Sequence, residues 1–103
     1  MTTPETEPVT ELTPESRGVW WVHTTGGTVH VWDMEELTVL RAPGVDSRSG
    51  EMRFDGDPQP LVAVLMWPRV GECSLIAFWH PEEDDRIVTR ISSVITRITR
   101  PGA

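Results

Sequence analysis

Thr28, Val29, His30 and Val31 alternate polar with apolar after a Gly-Gly pair, and the run 19–24 before it is apolar up to His23, the pattern of a β-hairpin. With Gly26 and Gly27 as a two-residue turn, Thr25 faces Thr28, His23 faces His30 and Trp21 faces Trp32, all on one face. Trp20, Val22, Val29 and Val31 then share the other face. That second face is apolar throughout and is predicted to be buried. The first carries polar tips that want partners and is predicted to be accessible.

Alternation continues downstream. In residues 36–41, Leu37 and Val39 alternate with Thr38 and Leu40, and Pro43-Gly44 closes a third strand as a turn. Met52 and Phe54 alternate with Arg53 and Asp55, and the run Asp55, Gly56, Asp57, Pro58 ends that short strand with turn chemistry. Residues 61–67 are continuously apolar between Pro60 and Pro68, which reads as a strand buried on both faces. A turn at Gly71-Glu72 leads into residues 73–79, so 61–79 forms a second hairpin, followed by an exposed acidic loop at 81–85. In residues 87–99, Ile87, Ile91, Val94, Ile95 and Ile98 fall at helical spacing. Yet nine of those thirteen residues are Ile, Val or Thr, which are stiff at χ1 and suit a pleated surface, so a strand broken or bulged near Ser92-Ser93 is predicted.

These elements define an all-β chain, a small partly open β-barrel or two-sheet roll of six to eight short antiparallel strands. A length of 103 residues suits one domain, placed at 18–99, with 100–103 as a short tail. Residues 1–17 are rich in Thr, Pro and Glu with only Val9 and Leu12 apolar, and are predicted to form a disordered acidic tail.

Charge modifies this picture locally. Four glutamates against Arg17 give the tail −3 of the formal −7, leaving −4 for the remainder, whereas 86–103 holds Arg86, Arg90, Arg97 and Arg100 and no acid. The overall acidity speaks against nucleic acid and anionic membranes as partners. No apolar stretch approaches the roughly 20 residues of a bilayer span, and the N-terminus lacks the basic-then-apolar pattern of a secretory signal. With Cys73 as the single cysteine, no internal disulfide can form, and a cytoplasmic location is expected. All nine basic residues are arginine and the chain has no lysine, asparagine or tyrosine, the bias of a GC-rich genome.

The series Trp20-x-Val22-x-Thr24, Gly27-Thr28-Val29, Asp33, Leu37-Thr38-Val39-Leu40-Arg41-x-Pro43-Gly44, Arg53-x-Asp55-Gly56-x-Pro58, Val70-Gly71-Glu72, Arg90-x-Ser92-Ser93-Val94 and Ile98 resembles a loose group of small uncharacterised proteins of actinobacteria and their phages. It spans residues 18–99. Its motifs are turn and core residues, so the resemblance implies an all-β fold and an actinobacterial or phage origin, and carries over no active site. His30 stands where an aromatic such as tyrosine is usual in that group, and Trp21 and Trp32 are additional.

Candidate chemistry is sparse. His23 opposite His30 supplies two imidazoles where zinc normally takes three or four ligands, so no metal site is assigned. Cys73, between Glu72 and Ser74 at the start of an apolar run, reads as a small buried residue rather than a nucleophile, and no catalytic residue or cofactor is assigned. Thr24 to Thr28 lacks the lysine and the length of a phosphate-binding loop, and 81–85 lacks the ligand spacing of a calcium loop. The C-terminal arginines near tryptophans could line a groove for single-stranded nucleic acid, which the acidity opposes. Five tryptophans exceed what a small barrel interior holds, so some of Trp21, Trp32, Trp67 and Trp79 are expected to be exposed, and exposed tryptophan is a common interface anchor. The expected function is therefore a non-enzymatic protein-interaction module, which a phage origin would direct at a host protein. Its expected binding residues are Trp21, His23, His30 and Trp32. The alternative is a structural protein that forms a homo-oligomer, such as a homodimer, through the same face.

Overall fold

The computed structural model describes residues 9–43 and 56–101. Seven strands follow one another: β1 (Val19–Thr24), β2 (Thr28–Asp33), β3 (Thr38–Pro43), β4 (Gln59–Met66), β5 (Leu75–Trp79), β6 (Ile87–Ile91) and β7 (Ile95–Thr99). They form one antiparallel sheet in the order β6-β5-β4-β3-β2-β1-β7, and no helix occurs among the described residues. The two edge strands are consecutive in the chain and are joined by residues 92–94. The sheet therefore curls until its edges meet at a covalent link without closing into a hydrogen-bonded ring, a partly open barrel.

Residues 87–99 are thus two strands with a break at Ser92-Ser93, as their composition predicts. The break is what lets this segment serve both edges. Ser92 N donates to Ser74 O, beyond the end of the β5–β6 pairing, while Thr25 N donates to Val94 O beside the β1–β7 pairing. A helix over the same residues could not supply these ladders.

The β1–β2 hairpin differs from the two-residue turn. Gly27 N donates to Thr24 O, and Gly27 adopts φ +88°, so the loop is the three residues 25–27, a turn followed by a left-handed glycine. Thr25 is drawn into this loop by its bond to Val94. The register moves by one residue: Trp20 pairs with Trp32, Trp21 with Val31, Val22 with His30 and His23 with Val29. Because strand periodicity is two, the slip reverses the whole of β2. Trp20 and Val22 are buried as predicted, but their companions are His30 and Trp32 rather than Val29 and Val31.

Energetics favours this outcome. Burying a tryptophan removes 150–250 Å² from water, worth about 4–6 kcal/mol at about 25 cal/mol per Å². Among the described residues Trp32 Nε1 has no hydrogen-bond partner, a cost of about 1–3 kcal/mol. The gain exceeds the cost, and the ring packs against Trp67 at 5.8 Å between centroids. Met34, Val39, Ile76, Phe78, Ile95 and Ile98 complete the inner layer.

Residues 9–17 are not a loose tail. Leu12 is 1% exposed and belongs to the core. Val9 N donates to Ile98 O, Leu12 N to Pro68 O, and Val70 N to Thr10 O, so the segment lies along β7 and the β4–β5 connection. Its two apolar residues suffice because the backbone is also hydrogen-bonded, a contribution composition does not display. At the other terminus, Arg100 stacks over the Trp20 ring at 4.0 Å and is part of the body.

Two further expectations change. Leu37 lies in the turn before β3, with φ +54°, and β3 starts at Thr38. The strand β4 is not buried on both faces: Val62, Leu65 and Met66 are exposed, and Leu61 and Val64 are half-buried against the core. Its pairing with β3 is confined to Thr38↔Pro60 and Val39↔Gln59, and its register with β5 shifts between Leu61 and Ala63 and again between Val64 and Met66. Such bulges bend a strand, and here they turn the sheet away from β3. The expected strand at 52–54 and the residues Gly44 and Asp55 of the expected turns lie outside the described residues.

Candidate docking surface

The four predicted binding residues do not form one site. Trp21 is 41% exposed and His23 half-exposed on the outer face of β1, whereas His30 and Trp32 point into the core. Alternation along β1 and β2 with the slipped register accounts for this. The two histidines consequently stand on opposite faces of the sheet and do not make a pair. Trp21 and His23 meet edge to face, with ring centroids at 6.4 Å, and His23 Nε2 lies 3.1 Å from Thr99 Oγ1. Burial, then the positive charge of Arg97 across the β1–β7 pair, holds the His23 pKa below its usual 6.5. Around these two rings stand Val29, Val31 and Leu40, but also Arg97 and Asp33, so this outer face is mixed.

A more uniform surface lies on the other half of the barrel. Cross-strand partners share a face, so the pairings of β5 define it. Ile76 and Phe78 point inward together with Leu61, Val64 and Val88. Leu75, Ala77 and Trp79 take the outer face, Ala77 itself buried and Leu75 half-buried, flanked by Ala63 and Met66 of β4 and by Ile87, Thr89 and Ile91 of β6. Trp79 is 51% exposed, Ile91 63%, and Ile87 and Met66 are exposed as well. None of the side chains that its three strands place on this outer face is charged, and their polar groups are the Thr89 hydroxyl and the Trp79 indole N–H. Contiguous apolar exposure of this kind marks interaction surfaces in folded proteins.

The sequence conceals this face for a physical reason. A strand rich in Val and Leu with no charges, such as β4, looks doubly covered. Whether a second layer exists is not written in the run itself. The excess of tryptophan does point here, since Trp79 is one of the rings expected to reach the surface.

Beside this face, β6 is an edge: among the described residues it pairs on one side only, with β5. Natural edges are usually protected by charge. In β6 the one charged residue, Arg90, pairs with Ile76 on the inner face, leaving the outer side of the strand purely Ile, Thr and Ile.

The remaining candidate groups are dispersed. The acidic loop after β5 is organised by His80, whose Nδ1 accepts from Glu82 N and Glu83 N. Glu83 also pairs with Arg86. Among the described residues no three His, Cys, Asp or Glu side chains gather as a metal site. Arg86, Arg90, Arg97 and Arg100 point to four different surroundings: the acidic loop, the barrel interior, the outer face near His23, and the Trp20 ring. They do not line one groove. Cys73 is half-buried just before β5. No helix among the described residues is long and apolar enough to cross a membrane.

Comparison with protein-family models, with curated proteins and with solved structures finds no match to this chain.

Proposed function

We propose that this chain is a non-enzymatic interaction module of a bacterial or phage-infected cytoplasm, docking through the outer face of β4–β5–β6, and that the occupant of that face is a second copy of the chain. The observation that carries this is the apolar outer face of β4–β5–β6, with no charged side chain from those three strands, bordered by β6, which among the described residues pairs on one side only.

Strand β6 is self-complementary. Antiparallel pairing about Thr89 sets Ile87 against the partner's Ile91 on the outer face, and Thr89 against the partner's Thr89. On the inner face Val88 meets the partner's Arg90, so no like charges oppose one another. The pairing joins two three-stranded faces into one continuous six-stranded surface and satisfies both edges, in the two-fold arrangement most common among oligomers. The hairpin face around Trp21 is a weaker candidate because Arg97 and Asp33 interrupt it.

Light scattering on a sizing column tests the reading: the protein should elute as a dimer at micromolar concentration. Ile87→Glu, at an exposed position, should give a folded monomer. A wild-type monomer across that range, or a dimer that survives Ile87→Glu, overturns self-association through this face.

A further inference from the structure

The edge strand β7 is not bare on the side away from β1. At its start Gly71 N donates to Ile95 O and Ile95 N to Glu72 O, at 2.8 Å each, which fastens β7 to the connection between β4 and β5. Further along, residues 9–12 lie between the two. Val9 N donates to Ile98 O at 3.1 Å on the β7 side, while Val70 N donates to Thr10 O at 2.8 Å and Leu12 N to Pro68 O at 2.9 Å on the other. Val9 bridges Ile98 and Glu11 bridges Arg69, both antiparallel. The segment is a short strand that fills a seam in the barrel wall.

This strap is held through main-chain bonds and two apolar side chains. Leu12 is buried in the core and Val9 packs against it, whereas Thr10 and Glu11 are exposed. Main-chain bonds accept any extended backbone, so selection falls to the two apolar positions. The link to β1 is a local turn, in which Ser16 N donates to Thr13 O and Thr13 N to Ser16 Oγ. The strap is thus a terminal element joined to the body by one turn, and its removal would leave the seven strands connected.

We propose that this seam is a strand-addition site for an extended segment of a partner protein, and that residues 9–12 are its built-in competitor. The pattern it reads is an apolar residue followed three positions later by leucine, as Val9 and Leu12 display. A second copy is the poorer occupant. Its own segment already fills its own seam, so exchange remakes the contacts it breaks and adds the cost of association. A partner segment without such a seam gains those contacts outright. Tethering sets the threshold, because a short linker holds the competitor at an effective concentration in the millimolar range. The seam shares no residue with the outer face of β4–β5–β6, so this inference stands apart from self-association.

Fluorescence anisotropy of a fluorescein-labelled peptide spanning residues 7–13, titrated with the full chain, tests this. Wild type should bind the probe weakly because its own strap competes. Full-length Leu12→Ala, with a weakened strap and an intact seam, should bind it at least about tenfold more tightly. The same peptide should raise the melting temperature of Leu12→Ala saturably by several degrees. Val9→Ala removes only a half-buried side chain and is the milder second variant, with a smaller gain expected. Val39→Ala, a core loss on β3, should bind the probe no better than wild type, and a probe carrying Leu12→Ala should bind none of these chains measurably. Equal affinity of the probe for wild type, Leu12→Ala and Val9→Ala, or equal binding of the two probes, would overturn the proposal. So would wild-type chain stabilising a fluorophore-tagged Leu12→Ala chain as well as the peptide does, which would make a second copy the occupant.

Discussion

Truncating Leu12 to alanine tests whether the segment before β1 belongs to the folded unit. Its side chain is 1% exposed and sits in the core cluster, yet it comes from a stretch whose composition predicts no order. The substitution leaves the backbone bond from Leu12 N to Pro68 O in place, so it isolates the side chain. Leu→Ala in a core costs about 2–5 kcal/mol, the spread reflecting how far the surroundings close over the space. A peripheral segment anchored by few backbone bonds can settle inward, which places this site in the lower half, at about 2–3 kcal/mol. At about 4–8 °C per kcal/mol for a domain of this size, the melting temperature should fall by about 8–24 °C. Circular dichroism melts of wild type, Leu12→Ala and Glu15→Ala measure it, the last being a control at an exposed position of the same segment. If Leu12→Ala and Glu15→Ala melt together within error, the Leu12 side chain contributes nothing to stability and the packing argument fails.

The slipped hairpin register predicts unequal tryptophans: Trp32→Ala should cost about 3–5 kcal/mol by urea denaturation, and Trp21→Ala well under half of that, since its ring is 41% exposed. Equal losses would restore the two-residue turn. His23 predicts a pH dependence. Because its folded pKa lies below the usual 6.5, the unfolded chain takes up the proton first as the solution is acidified. The His23 contribution is therefore fully present above about pH 6.5 and is lost as pH falls from there toward the folded value. Melting temperatures between neutral pH and pH 5 should decline less steeply in His23→Gln than in wild type, and superimposable profiles would refute the assignment.

Local pattern carried the architecture a long way. The Gly-Gly turn located β1 and β2, period-two alternation located β3 and β5, and the Ile, Val and Thr content of 87–99 outweighed its helical spacing, because side chains with branched β-carbons pack on pleats whatever their spacing. The break at Ser92-Ser93 was legible too. These are properties of a residue and its near neighbours, and neighbours in the chain are all they require.

Faces were another matter. Two adjacent glycines permit a two-residue or a three-residue loop, and the three-residue loop is the one in which Thr25 bonds to Val94, 69 positions away. The three-residue loop that goes with this contact, together with the burial of the Trp32 ring, sets His30 and Trp32 inward, so the expected four-residue binding face does not form. The same limit governs β4, whose apolar run is compatible with two covered faces or with one, and Leu12, whose burial depends on a surface supplied by residues far along the chain. Alternation states that two faces differ. Which of them meets water depends on what the rest of the chain brings against it, and that is settled by long-range packing.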